Sequence, residues 1–131
     1  MSGWTVRDDY KYAKTDEWLR LEGSEGVVGI SDYAQDQLSD LVFIELPKVG
    51  ATFQVGQTFG VVESVKAAAD LNMPVSGEVV AVNSALEASP ESMNKDPFGE
   101  GWIIRIKVSN VGEAGSLMDA KAYQAYCEQR N

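Results

Sequence analysis

Six short runs of β-favouring residues, each closed by Gly, Pro, Asp or Ser, set the first limit on how this chain can fold. WLRLE at 18–22 alternates apolar and polar residues, and VVGI at 27–30, LVFIEL at 41–46 and FGVVES at 59–64 are brief β-rich stretches. SGEVVAVN at 76–83 and WIIRIKV at 102–108 have the same character. Many short strands separated by turns predict a β-sandwich or barrel. At 131 residues the chain suits one core and leaves no room for a second of ordinary size.

Three helical segments are expected among the strands. SDYAQDQLSD at 31–40 predicts one short helix, with Ser31 capping its first free amides and Asp32 favourable in the first turn. A second starts near Ser89-Pro90-Glu91, where proline suits the first helical position, and cannot run far before Pro97. The last predicted helix covers about 116–129, within SLMDAKAYQAYCEQR. There Ala120, Tyr123, Tyr126 and Cys127 fall three and four residues apart, so one face can dock on the sheet. Cys127 then reads as a small buried apolar residue rather than a reactive thiol. ELPKVG and FQVGQTFG read as turns and strand edges, with Pro47, Gly50 and Gly56 setting the backbone. GEGW reads as a tight turn in which Trp102 opens the last long strand. Trp4 is assigned no role.

Charge and missing residue types exclude several kinds of chemistry. With Lys+Arg 11 against Asp+Glu 20, the formal charge of -9 argues against a nucleic-acid backbone or an anionic membrane as the main partner. No histidine is present, which removes Ser-His and Cys-His nucleophiles. With a single cysteine as well, an internal disulfide and the usual zinc and copper sites are excluded, and no metal site is expected. VGISDYAQ and FGVVESVK lack the glycine spacing that cradles phosphate. GVVGI and GWIIRI are far shorter than the ~20 residues that span a bilayer, and MSGWTVRDDYKYAK is too polar for a signal peptide. The chain is therefore expected to stay in the compartment where it is made.

Against this acidic background, VVESVKAAAD places one lysine, Lys66, among small and apolar residues. It follows a strand ending near Ser64, so VKAAAD is expected to form an exposed hairpin or loop, although SVKA contains neither Gly nor Pro to fix a tight turn. An ordinary lysine, with a pKa near ~10.4, is protonated at neutral pH and a poor nucleophile. Glu63 and Asp70, its nearest charges, do nothing to lower that value. Composition alone makes Lys66 a solubilising surface residue.

The wider pattern changes that reading. GVVGISDYAQDQLSDLVFIELPKVGATFQVGQTFGVVESVKAAADLNMPVSGEVVAVNSAL, followed by SPESMNKDPFGEGWIIRIK, closely resembles the H proteins of the glycine cleavage system. The resemblance runs from about Tyr12 to the C-terminal AKAYQAYCEQ. It implies a mainly β fold, a flattened hybrid of barrel and sandwich like that of lipoyl and biotinyl carrier domains, forming one domain over 1–131 with its core at about 12–110. It further implies that Lys66 carries lipoic acid in amide linkage, and that the chain is a carrier rather than an enzyme. In the cycle so implied, a pyridoxal phosphate-dependent glycine decarboxylase loads an aminomethyl group on the reduced lipoyl sulfur. An aminomethyltransferase then passes the one-carbon unit to tetrahydrofolate, and dihydrolipoyl dehydrogenase reoxidises the dithiol. A lipoate ligase or a lipoyl/octanoyl transferase would attach the arm. The chain is expected to be a monomer in a bacterial cytoplasm, with a mature mitochondrial form as the other setting.

The resemblance also implies a cleft for the loaded arm, lined by Glu17, Asp70 and Thr15. A carboxylate there suits a cationic amine, and exclusion of water slows its hydrolysis. The chain departs from the family where Asp16-Glu17-Trp18 stands for His-Glu-Trp, and where Tyr33 replaces an occasional histidine. Other readings are a lipoyl carrier diverted to acyl or lipoyl relay or another lipoate-dependent pathway, and an unmodified interaction domain. A biotin carrier fits less well, since biotin domains flank their lysine with methionines and here the flanks are Val65 and Ala67.

Overall fold

Every predicted strand forms, and two sheets result. The computed structural model describes residues 3–130. Its larger sheet holds β1 (Lys11–Tyr12), β2 (Glu17–Glu22), β3 (Glu25–Ile30), β9 (Ile104–Val108), β8 (Gly77–Val82) and β5 (Thr52–Phe53), in that spatial order. The smaller holds β4 (Leu41–Glu45), β6 (Thr58–Ser64) and β7 (Ala68–Asn72). All pairings are antiparallel. The mainly β, sandwich-like class expected from the sequence is borne out, as two sheets rather than a closed barrel.

The sheets enclose one apolar core and the larger sheet carries a second on its outer face. Leu19, Val28, Ile104 and Ile106 point inward against Val62, Leu71, Ile44 and Phe59 of the smaller sheet. Their sequence neighbours Trp18 and Val27 point the other way, joining Tyr10, Tyr12, Tyr33, Phe98 and Tyr123. This is the period-two alternation of a strand, with both faces covered. It explains why β3 is buried from Gly26 to Ile30 rather than alternating in exposure.

Close packing at Trp18 gives a sharp test of this arrangement. Gly29 lies opposite Trp18 in the β2–β3 register, and a Cβ added there would sit 2.6 Å from the indole. Trp18 is fully buried and its Nε1 donates to the Pro97 carbonyl at 2.9 Å, so the ring has nowhere to retreat. Gly29→Ala is expected to cost about 1–3 kcal/mol by overpacking. Urea denaturation should show a lower midpoint at unchanged slope.

The helices follow local chemistry. Helix α1 (Asp32–Leu38) begins where Ser31 Oγ accepts from the Ala34 amide at 3.1 Å, as its sequence predicts. One turn, α2 (Ala85–Ala88), was not anticipated; α3 (Ser92–Lys95) starts just after Pro90 and stops before Pro97. The C-terminal helix is shorter at its start than expected. Val111–Ser116 form a 3-10 segment, and α4 covers Ala120–Arg130, because Asp119 rather than Ser116 caps it by accepting from the Ala122 amide at 2.8 Å. Ala120, Tyr123 and Cys127 are buried on the expected face, and Tyr126 packs at its margin. Trp102 does not open β9, which starts at Ile104. It donates its amide to Gly99 O at 3.1 Å in a turn and packs half-buried against the outer cluster.

Two polar features lead from the fold to the site. Among the described residues, the buried polar side chains are Ser31, Ser76 and a single carboxyl, Glu17, only 1% exposed. The hairpin β6–β7 projects beside it.

Candidate functional site: a lysine tip and an acid-lined cleft

Lys66 stands at the tip of the β6–β7 hairpin. Pairing runs from Thr58↔Asn72 to Glu63↔Ala68, so β7 takes in Ala68 to Asp70, which the sequence had left to a loop. Without Gly or Pro, the turn is closed by Ser64. Its amide donates to Ala67 O at 2.7 Å, while its Oγ accepts from the amides of Ala67 at 3.0 Å and Lys66 at 3.3 Å. Val65 N also donates to Asp40 O at 3.1 Å, tying the tip to the segment before β4. Lys66 itself is exposed and its ammonium enters none of the ion pairs among the described residues. A fixed backbone thus presents a free amine.

Alongside the hairpin lies a cleft of about 170 Å³ in which Thr15, Glu17 and Asp70 are brought together. These are the three residues that sequence resemblance placed there. Ile30 of β3, Leu38 of α1 and Val62, Ala69 and Leu71 of the hairpin supply an apolar wall. Ala34 and Gln37 of α1 complete it, and the sequence pointed to neither. Only the amphipathic spacing of α1 could have suggested them, since the helix turns one face to the core and leaves its next residues at the rim. Ala69 is three residues from Lys66, roughly 10 Å along an extended strand.

Glu17 is held in the cleft by two donors. The Thr15 hydroxyl donates to its Oε1, and the amide of Asn72 to its Oε2 at 2.9 Å. Burial outweighs both and pushes its pKa up to about 7, and the negative charge of Asp16 adds to the rise. At neutral pH the carboxyl is therefore poised between its two forms. An arriving cation would favour the ionised one, by opposite charge in a poorly hydrated site. Asp70 is exposed at the cleft mouth, on the rung paired with Val61. Thr15 is exposed too, and its hydroxyl reaches inward to Glu17.

Asp16 is not a free second charge at the site. Its carboxylate receives Arg130 Nη2 at 2.6 Å and the Tyr123 hydroxyl at 2.7 Å. Trp4, assigned no role from sequence, donates its Nε1 to Asp36 at 2.9 Å and meets Tyr33 edge-on.

Comparison with known proteins gives matches to one family. A family model described as "Glycine cleavage H-protein" matches residues 10–130. The chain is 54% identical over 124 residues to a glycine cleavage system H protein of Symbiobacterium thermophilum, covering 95% of this chain and 97% of that one. It is 48% identical over 126 residues to the mitochondrial glycine cleavage system H protein 2 of Arabidopsis thaliana, covering 96% of this chain and 81% of that one. Among solved structures, it is similar to the crystal structure of a glycine cleavage system H protein from Mycobacterium marinum, with a TM-score of 0.84 and 34% identity, covering 95% of this chain and 98% of that one.

Proposed function

Because the chain belongs to the glycine cleavage H-protein family, we propose that Lys66 is the residue that bears its lipoyl group and that the Glu17 cleft shelters the loaded arm. The protein is a non-catalytic, lipoate-carrying subunit of the glycine cleavage system. It works with glycine decarboxylase, aminomethyltransferase and dihydrolipoyl dehydrogenase. The observation that carries the assignment to Lys66 is its free amine on a rigid two-strand tip beside an acid-lined apolar cleft.

The residues present fit the group. Amide formation needs an accessible lysine, and Lys66 is exposed, its ammonium in no ion pair among the described residues. A lysine side chain lengthened by an acyl chain reaches the roughly 10 Å back to Ala69, where the apolar wall of Val62, Leu71 and Leu38 suits its methylenes. When bound, the lipoyl group supplies a sulfur that accepts the one-carbon amine and a dithiol-disulfide couple that the dehydrogenase reoxidises. The chain does the rest. Glu17 in its ionised form would accept a hydrogen bond from the ammonium end, while Thr15 and the Asn72 amide hold that carboxylate in place. Asp70 adds negative charge at the mouth, and the apolar wall limits the water that would hydrolyse the cargo.

Residues 1–131 act as one domain in this reading, and a monomer suits a tip that three enzymes engage in turn. The formal charge of -9 speeds encounter with basic rims. Among the described residues no helix is long and apolar enough to cross a membrane, and relatives occur both in bacteria and in mitochondria. A bacterial cytoplasm is the proposed setting.

Reconstitution tests the function. With the three partner enzymes, lipoylated chain should support release of carbon dioxide from glycine in proportion to the chain supplied, and unlipoylated chain should support none. Equal activity from the unmodified chain would overturn the carrier reading.

A further inference from the structure

The turn that leads into Glu17 is held from helix α4. Asp16 adopts φ 83°, a left-handed conformation that a non-glycine residue keeps only when its surroundings fix it. Its main chain is fixed by two bonds, Asp16 N to Ala13 O and Ser31 N to Asp16 O, both 2.9 Å. Its side chain is fixed by Arg130, whose Nη2 meets Oδ1 at 2.6 Å and whose Nη1 meets Oδ2 at 3.2 Å. This is a two-pronged pair that only arginine makes. The Tyr123 hydroxyl donates to the same Oδ1 at 2.7 Å and shares a 2.6 Å hydrogen bond with Ser31 Oγ, the cap of α1.

Arg130 is itself tightly placed. Its guanidinium lies 4.3 Å from the ring centre of Tyr33 and 4.0 Å from that of Tyr126, and Nη2 also reaches Cys127 Sγ at 3.4 Å. Tyr33 belongs to α1, whose Ala34 and Leu38 line one side of the cleft, while Asp16 belongs to the turn that lines another. Asp16 and Tyr33 thus both face this one side chain. Helix α4 does not need Arg130 to stay docked, because Ala120, Tyr123 and Cys127 bury its face and the Tyr126 hydroxyl donates to Lys14 O at 3.1 Å.

We propose that Arg130 is a positioning residue of the carrier, which clasps the turn before β2 through Asp16 to helix α1 through Tyr33 and so fixes Glu17 toward the arm. This rests on reading the cleft as the arm site. Three acids share that cleft, Asp16, Glu17 and Asp70, and Arg130 is the cation that offsets the first of them. Without it, Asp16 loses its counter-charge beside Glu17, and the turn keeps the Tyr123 hydroxyl but loses the two-pronged anchor.

The test uses the unlipoylated protein first, so that it stands apart from the modification of Lys66. Side-chain carboxyl NMR follows the titration of Glu17, and amide exchange follows Asp16 and Ser31 against the core amides of Leu19 and Val28. Arg130→Gln should raise the Glu17 midpoint by roughly half a unit or more, through an uncompensated Asp16. It should also speed exchange at Asp16 and Ser31 while leaving the core unchanged. Adding Asp16→Asn should bring the midpoint back. Arg130→Lys, which keeps the charge but not the fork, should restore the midpoint and not the protection. In the lipoylated protein, Arg130→Gln should shorten the lifetime of the loaded arm several-fold. An unchanged midpoint and protection in Arg130→Gln, full recovery of both in Arg130→Lys, or loss spread evenly over the core would overturn the proposal. Intact mass on the same samples reports lipoylation separately, so failure of the clasp and failure of the arm reading are told apart.

Discussion

In the Lys66→Arg variant, carbon dioxide release from glycine falls to the level of a mixture that contains no carrier. Arginine keeps the positive charge and most of the side-chain length, so the tip should fold as before. Its guanidinium stays protonated and offers no amine to acylate. The turn is closed by Ser64 through the backbone and Oγ, and nothing in it depends on the Lys66 side chain. The substitution should leave the stability within about 0.5 kcal/mol of the parent, as for an exposed surface residue. Loss of function with stability kept would place the chemistry at that amine. Retained carbon dioxide release would move the arm to another lysine.

Glu17→Gln should have the second largest effect, and of opposite sign on stability and function. Burial raises the folded pKa of Glu17 to about 7 from an ordinary value of 4.5. An acid whose pKa is raised on folding binds its proton more tightly in the native state. Its contribution is therefore favourable below the unfolded pKa and is lost as pH rises through the folded one, between about 4.5 and 7. Above that window the buried charge costs about 3 kcal/mol. Gln keeps an oxygen for the Asn72 amide and never ionises. Urea midpoints at pH 4.5, 6, 7 and 8 should therefore diverge, the variant becoming the more stable by about 2–4 kcal/mol at pH 8 and nearly equal to the parent at pH 4.5. An identical pH slope in the two proteins would refute the raised pKa. Function should move the other way. The variant is still lipoylated, but it lacks the carboxylate for the ammonium, a charge-assisted hydrogen bond worth about 1.5–3 kcal/mol, so the loaded arm should decay roughly 10-fold to 100-fold faster.

Much of the site was legible because its chemistry is local. ESVKA marks a strand end and an exposed tip within a few residues, and the β-rich runs on either side of it place β6 and the larger sheet, but that Lys66 bears the arm came from resemblance. Glu17, Asp70 and Thr15 were named by resemblance, and no spacing rule links residue 17 to residue 70. What joins them is the packing of β2 and β3 against the hairpin, seen in the bond from the Asn72 amide to Glu17. The turn at Ser64 was obscure since it uses a hydroxyl where Gly or Pro is usual. The expected start of α4 near 116 is too early because Asp119 caps the helix and the preceding residues wind more tightly as a 3-10 segment. Short elements such as β1, β5 and α2 carry too few residues to show a period; they exist by virtue of neighbours, as when Tyr12 pairs with Met118. The ion pair of Asp16 with Arg130 spans 114 residues, and sequence alone showed Asp16 only as an added charge.

The central claim, that this chain is a carrier through Lys66, is tested most directly by mass spectrometry of the protein after incubation with lipoate and a lipoate ligase. The account predicts an increase of one lipoyl group in the intact mass, located on the peptide containing Lys66, with Lys48 and Lys95 unmodified. No increase, or one on another lysine, while the same ligase modifies a control domain, would contradict it.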